Sequence, residues 1–90
     1  MGIHDGVSEQ TLLIKLSEEC SELSAACMKM ACINQGDFPV RVGRVEAIDH
    51  ILEEIADVSL AVLGISDLPW YNENTIDRYL SYKKRRNDES

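Results

Sequence analysis

The stretch from Ile55 to Ile65 reads Ile-Ala-Asp-Val-Ser-Leu-Ala-Val-Leu-Gly-Ile and carries one charge, Asp57. A helix that is apolar nearly all round must be covered on every side, so this segment belongs at the centre of a fold or at a subunit interface. A carboxylate set into it is costly unless its charge is compensated, because loss of water disfavours the ionised form. Glu54 stands one helical turn before Asp57, and an earlier segment repeats the spacing with Glu19 and Glu22.

Periodicity predicts three helices. Leu13, Leu16, Cys20, Leu23, Cys27 and Met30 are spaced 3-4-3-4-3, a heptad stripe that buries one face of a helix over about 8–33. Ser8 is its expected N-cap, and Gly36 its stop. Residues 34–44, with Gly36, Pro39 and Gly43, form the one substantial loop. A second helix over about 44–66 carries Ile48, Ile51, Leu52, Ile55, Val58, Val62 and Ile65. Pro69 interrupts it, since proline disfavours helix at the residue before it. A shorter third helix spans about 72–86, with Ile76, Tyr79, Leu80 and Tyr82 on its inner side and residues 87–90 frayed.

The fold class is therefore all-α: an antiparallel helical hairpin plus a shorter third helix in one domain over 1–90. Ninety residues lie near the lower end of what folds on one core. Helices apolar on two faces cannot both be covered by so short a chain. We expect a homodimer or homotetramer that completes a four-helix-type bundle.

Charge narrows the function. Sixteen acidic residues against nine Lys and Arg give a net charge of −7, which disfavours a nucleic-acid binder with its broad basic surface. No run of eighteen apolar residues offers a membrane span. The start, Met-Gly-Ile-His-Asp-Gly, lacks a basic and apolar secretory leader, and Gly6 stands where a myristoylation signal needs Ser or Thr. Three cysteines, Cys20, Cys27 and Cys32, form no Cys-x-x-Cys and read as reduced core residues of a cytoplasmic protein.

Spacing does not single out the acids. Chance alone gives about three acid pairs at i, i+3 in such a composition, and there are three: Glu19/Glu22, Glu46/Asp49 and Glu54/Asp57. Context separates them. Glu46 and Asp49 lie in the first turns of the second helix, where the helix dipole favours acid. Glu19 and Glu22 border the heptad stripe, and Glu54 and Asp57 enter the apolar half of the second helix. In an antiparallel hairpin the two pairs meet at similar heights, and hard divalent cations, Mg²⁺ or Mn²⁺, are the natural compensation. A di-iron site would need Glu-x-x-His on two helices. Neither helix has it, because Ala47 lies three before His50.

The string Glu18-Glu19-Cys20-Ser21-Glu22-Leu23-Ser24-Ala25-Ala26, followed by Lys29 and then Glu53-Glu54-Ile55-Ala56-Asp57-Val58, resembles the MazG-like all-α nucleoside triphosphate pyrophosphohydrolases. The resemblance covers about residues 9–65. It implies that Glu19, Glu22, Glu54 and Asp57 bind Mg²⁺, and that the metal binds the phosphates of a nucleoside triphosphate substrate. Such enzymes cleave the α–β phosphoanhydride to a nucleoside monophosphate and pyrophosphate. The cation polarises phosphoryl oxygens, neutralises the leaving group and lowers the pKa of a bound water. Glu18 and Glu53 become candidates for the catalytic base or for groups behind the ligands, against a plain reading as solvent-facing acids. Lys29, Lys83 and Arg86 are implied phosphate contacts, the last two within the basic run Lys83-Lys84-Arg85-Arg86, whose other reading is complementation of a helix dipole.

The gap of thirty-one residues between Glu22 and Glu54 is longer than usual for the family, which places the loop with Phe38 and Pro39 near the site as an insertion. Trp70 and Tyr71 read either as stacking partners for a base or, for Trp70, as a packing anchor at a helix junction. A phosphoribosyl-ATP pyrophosphohydrolase-like enzyme and a non-catalytic helical dimerisation module remain the alternatives.

Overall fold

Capping chemistry sets the helix ends. In the computed structural model, which describes residues 7–36 and 43–89, Ser8 accepts a hydrogen bond from the Thr11 backbone N–H and opens α1, Glu9–Gln35. Gly36 closes it at φ 74°, in the left-handed region that glycine enters freely, and its N–H bonds back to the last turn. The second helix, α2, spans Arg44–Ile65. Asn72 accepts from the Thr75 N–H and starts α3, Glu73–Glu89. This last helix runs on through residues expected to fray. The loop expectations for Asp37 to Val42, among them Phe38 and Pro39, lie outside the described residues, as does the chain start through Gly6.

The first two helices pack as an antiparallel hairpin. Arg44 at the start of α2 donates to the Asn34 side chain at the end of α1. At the other end the Trp70 indole N–H, just past α2, donates to Glu9 at 2.6 Å. Between these clasps the inward row of α1 is Leu12, Leu16, Glu19, Leu23, Ala26 and Met30, all buried or half-buried. The inward row of α2 is Ala47, Ile51, Glu54, Val58, Ala61 and Ile65. The two rows repeat one spacing, offset by thirty-five residues throughout (12 and 47, 19 and 54, 30 and 65). They run in opposite directions, so the Leu12 end of α1 lies at the Ile65 end of α2. Ala26, Ala47 and Ala61 keep the backbones close, and each row has a glutamate in its middle.

This arrangement corrects the heptad stripe. Leu16, Leu23 and Met30 do face α2, but Leu13 is 39% exposed and Cys20 and Cys27 are exposed. The stripe is two adjacent rows, one inward and one flanking. Drawing Glu19 inside turns the helix by one position and rolls the cysteines out of the core, where all three thiols are free. At 100° per residue, Leu13, Cys20 and Cys27 share a flank with Ile48 and Ile55 of α2, on the side away from Glu22 and Asp57. Leu52 and Leu63 extend this apolar face, at 59% and 53% exposure.

The third helix differs from expectation too. Packing between elements is confined to α1 and α2 among the described residues. Ile76, Tyr79, Leu80 and Tyr82, expected to face inward, are 39–61% exposed, because α3 stands off the hairpin. A chain of turns holds that corner, with Ser66, Leu68 and Tyr71 donating their N–H groups back to Val62, Ile65 and Leu68. The Tyr82 ring lies under the guanidinium groups of Arg85 and Arg86, at 6.0 and 5.8 Å. No helix among the described residues is long and apolar enough to cross a membrane.

Candidate metal centre

Packing the two glutamate rows together creates the site. Glu19 and Glu54 are each only 6% exposed, so the hairpin buries a carboxylate from each helix. One turn on, Glu22 and Asp57 step round onto a shared flank that stays open to solvent. Each of the four offers an oxygen within 4.8 Å of the others. The burial expected at Asp57 falls instead on Glu54. Most apolar members of the 55–65 run divide between the inward row and the open apolar face, while Asp57 lies on the third side of the helix with the exposed Leu60 one turn beyond it.

The charges are only partly balanced. Lys15 Nζ lies 2.7 Å from Glu19 Oε1, and His50 Nε2 lies 3.3 Å from Glu54 Oε1. Both contacts span i, i+4 on their helices. The second oxygens, Glu19 Oε2 and Glu54 Oε2, are buried without a hydrogen-bond partner. Leaving a buried charged oxygen unsatisfied is expensive, with several kcal/mol the usual scale per buried ion. The strain appears on the flank: the Glu22 carboxyl is pushed above its ordinary value. The Glu19 charge is the main cause, followed by the Glu54 charge. In the opposite sense the Lys15 ammonium is held above its usual value, chiefly by its hydrogen bond to Glu19.

A hard cation fits this donor set. Opposite oxygens around Mg²⁺ are about 4.2 Å apart, so donors within 4.8 Å of one another need only small side-chain rotations to close on one. A divalent ion would supply partners for both orphaned oxygens and relieve the repulsion on Glu22.

The remaining candidates are spread more widely. Glu53 is exposed and belongs to a second group with His50 and Glu54. Glu18 is exposed on α1 and belongs to neither group. Lys29 is exposed two turns beyond Glu22, roughly 10 Å along the axis. Lys83 and Arg86 lie on α3, which does not pack against the hairpin, so one chain does not gather the three cations around the acids. Trp70 is 54% exposed and acts through its indole N–H as a clasp between Glu9 and the α2–α3 corner. Sequence reasoning missed Lys15. Its i, i+4 spacing to Glu19 was the available signal, matched by His50 to Glu54 in the same register.

Comparison with family models, with curated proteins and with solved structures finds no match. The site is defined by its own residues: a helical hairpin with four convergent carboxylates, two of them buried.

The raised Glu22 carboxyl has a consequence in the metal-free protein. A carboxyl that binds its proton more tightly when folded adds stability below its unfolded value, near 4.5. That stability is lost as pH rises through the higher folded value. We expect Glu22→Gln, which cannot ionise, to gain in melting temperature relative to the parent as pH rises from 4 to 7 in chelator. A difference that stays flat with pH would show that Glu22 does not carry the repulsion.

Proposed function

We propose that the protein is a Mg²⁺-dependent nucleoside triphosphate pyrophosphohydrolase, with Mn²⁺ as a substitute, that converts an NTP or dNTP to the monophosphate and pyrophosphate. One observation carries the reading: two buried glutamates with orphaned oxygens converge with Glu22 and Asp57 from two helices. The resemblance of the Glu18–Ala26 and Glu53–Val58 strings to the MazG-like enzymes supports the choice of reaction. Glu19, Glu22, Glu54 and Asp57 hold the cation. When bound, it would neutralise phosphate charge and polarise the scissile phosphoryl group.

The chain's own residues supply the rest. Glu22 and Asp57 keep the cluster open on one flank, where a triphosphate can approach, while Glu19 and Glu54 anchor it from below. Glu18 and Glu53 are the exposed acids beside that flank, available to take a proton from the attacking water. Lys29 lies on the same side of α1 and is suited to a phosphate oxygen. Lys83 and Arg86 reach a site only if another copy brings them, which favours a homodimer or homotetramer. The open apolar face of Leu13, Ile48, Leu52, Ile55 and Leu63 suits stacking of a second hairpin into a four-helix-type bundle. Net acidity argues against nucleic acid as partner, and three free thiols suit a reducing compartment such as the cytoplasm.

The test is pyrophosphate release across a panel of NTPs, dNTPs and phosphoribosyl-ATP with Mg²⁺. Release from one or more of the triphosphates is expected. Release from phosphoribosyl-ATP alone would move the protein to the neighbouring activity. No release from any of them, with no metal-dependent rise in thermal stability, would leave a non-catalytic helical dimerisation module.

A further inference from the structure

The two halves of the hairpin match in register, and they differ at one position that matters. Lys15 and His50 occupy equivalent places, thirty-five residues apart, each one turn before a buried glutamate. Lysine brings a permanent charge and cannot bind a metal while it carries it. Histidine brings an imidazole that ligates transition cations in its neutral form. The α1 half thus carries its own cation beside Glu19, while the α2 half carries a ligand beside Glu54.

From this difference we infer a second cation position on α2, formed by His50, Glu53 and Glu54, with Glu54 shared between it and the four-carboxylate cluster. Its occupant is a divalent transition ion of the Mn²⁺ or Zn²⁺ type, since imidazole with carboxylate favours these over Mg²⁺. The three side chains sit at i, i+3 and i+4, and each offers a ligand atom within 4.8 Å of the others. His50 Nε2 and Glu54 Oε1 are 3.3 Å apart. Two adjacent ligands at about 2.1 Å from a tetrahedral Zn²⁺ are separated by about that distance, so the spacing of the pair suits two ligands of one ion. Glu54 is more than nine-tenths buried, its Oε1 lies beside the imidazole, and its Oε2 has no hydrogen-bond partner. The carboxylate therefore has one oxygen at the histidine and another unclaimed, which a bridging glutamate requires. His50 is half exposed, so the position can be reached from solvent.

This inference rests on the metal reading of the main cluster, and the experiment separates the two. The protein is titrated with Mn²⁺ and examined by electron paramagnetic resonance with electron spin-echo modulation, which detects a nitrogen bound to the ion. Two Mn²⁺ per chain with a ¹⁴N modulation are expected. His50→Ala should lower the count to one and abolish the nitrogen signal while keeping the fold by circular dichroism, and Lys15→Met should leave the nitrogen signal in place. One Mn²⁺ per chain without ¹⁴N modulation in the parent protein would overturn the second position and leave the first standing. A modulation that survives in His50→Ala would overturn it as well. No bound Mn²⁺ at all would remove both sites together.

Discussion

Asp57→Ala should stay folded and lose pyrophosphate release by about a thousandfold or more, the equivalent of several kcal/mol of transition-state stabilisation from a displaced or mispositioned cation. The position makes this a clean experiment. Asp57 lies on the open flank of the hairpin, so its loss removes one ligand and leaves the inward rows of α1 and α2 untouched. Glu19 and Glu54, at 6% exposure, are poorer choices because truncating either opens a cavity between the helices. Removing one of four converging like charges should also leave the metal-free protein no less stable, and relief of repulsion favours a small rise. Steady-state rates measured beside a chelator-treated melting curve test both halves. Full activity in Asp57→Ala would end the assignment of the cluster as a catalytic metal site.

Mg²⁺ should raise the melting temperature strongly. On the proposed reading the folded cluster binds the ion and the unfolded chain does not assemble it, so at a hundredfold excess over the dissociation constant binding contributes about 2.7 kcal/mol. For a domain of this size that is about 10–20 °C. The gain should vanish in EDTA. It should fall steeply in Glu54→Gln, which keeps the shape of a buried side chain but supplies no charge. Scanning melts with and without Mg²⁺ at fixed protein concentration decide the point. Equal melting temperatures in Mg²⁺ and EDTA would mean that the orphaned oxygens of Glu19 and Glu54 are not waiting for a cation.

Helix number, order and capping were legible in the chain because they depend on local chemistry: Ser8, Gly36 and Pro69 each act on their own neighbours. The convergence of Glu19, Glu22, Glu54 and Asp57 was legible because a short antiparallel connection fixes relative height. Which acid would be buried was not. The apolar run around Asp57 reads as a uniform interior, and only packing shows that its residues divide between an inward row and an uncovered face. The same ambiguity placed Cys20 and Cys27 in the core. A stripe at 3-4 spacing is wide enough to hold two rows, and the small side chain of Ala26 decides which one the partner helix meets. The standing of α3 away from the hairpin could not be read from its amphipathic pattern, since an apolar stripe specifies that something covers it and not what.

The placement of the two special surfaces of the hairpin on opposite sides has a bearing on how the protein is put together. A cluster of four acids resists the approach of another copy of an acidic chain, whereas an apolar face invites it. With one on each side, repulsion acts as a guide: it directs association to the face that carries no charge. Copies can gather through Leu13, Ile48 and Ile55 without any of them having to vacate, shield or neutralise the carboxylates first. For the assembly and the cation site proposed above, the order of association and metal loading would then be free.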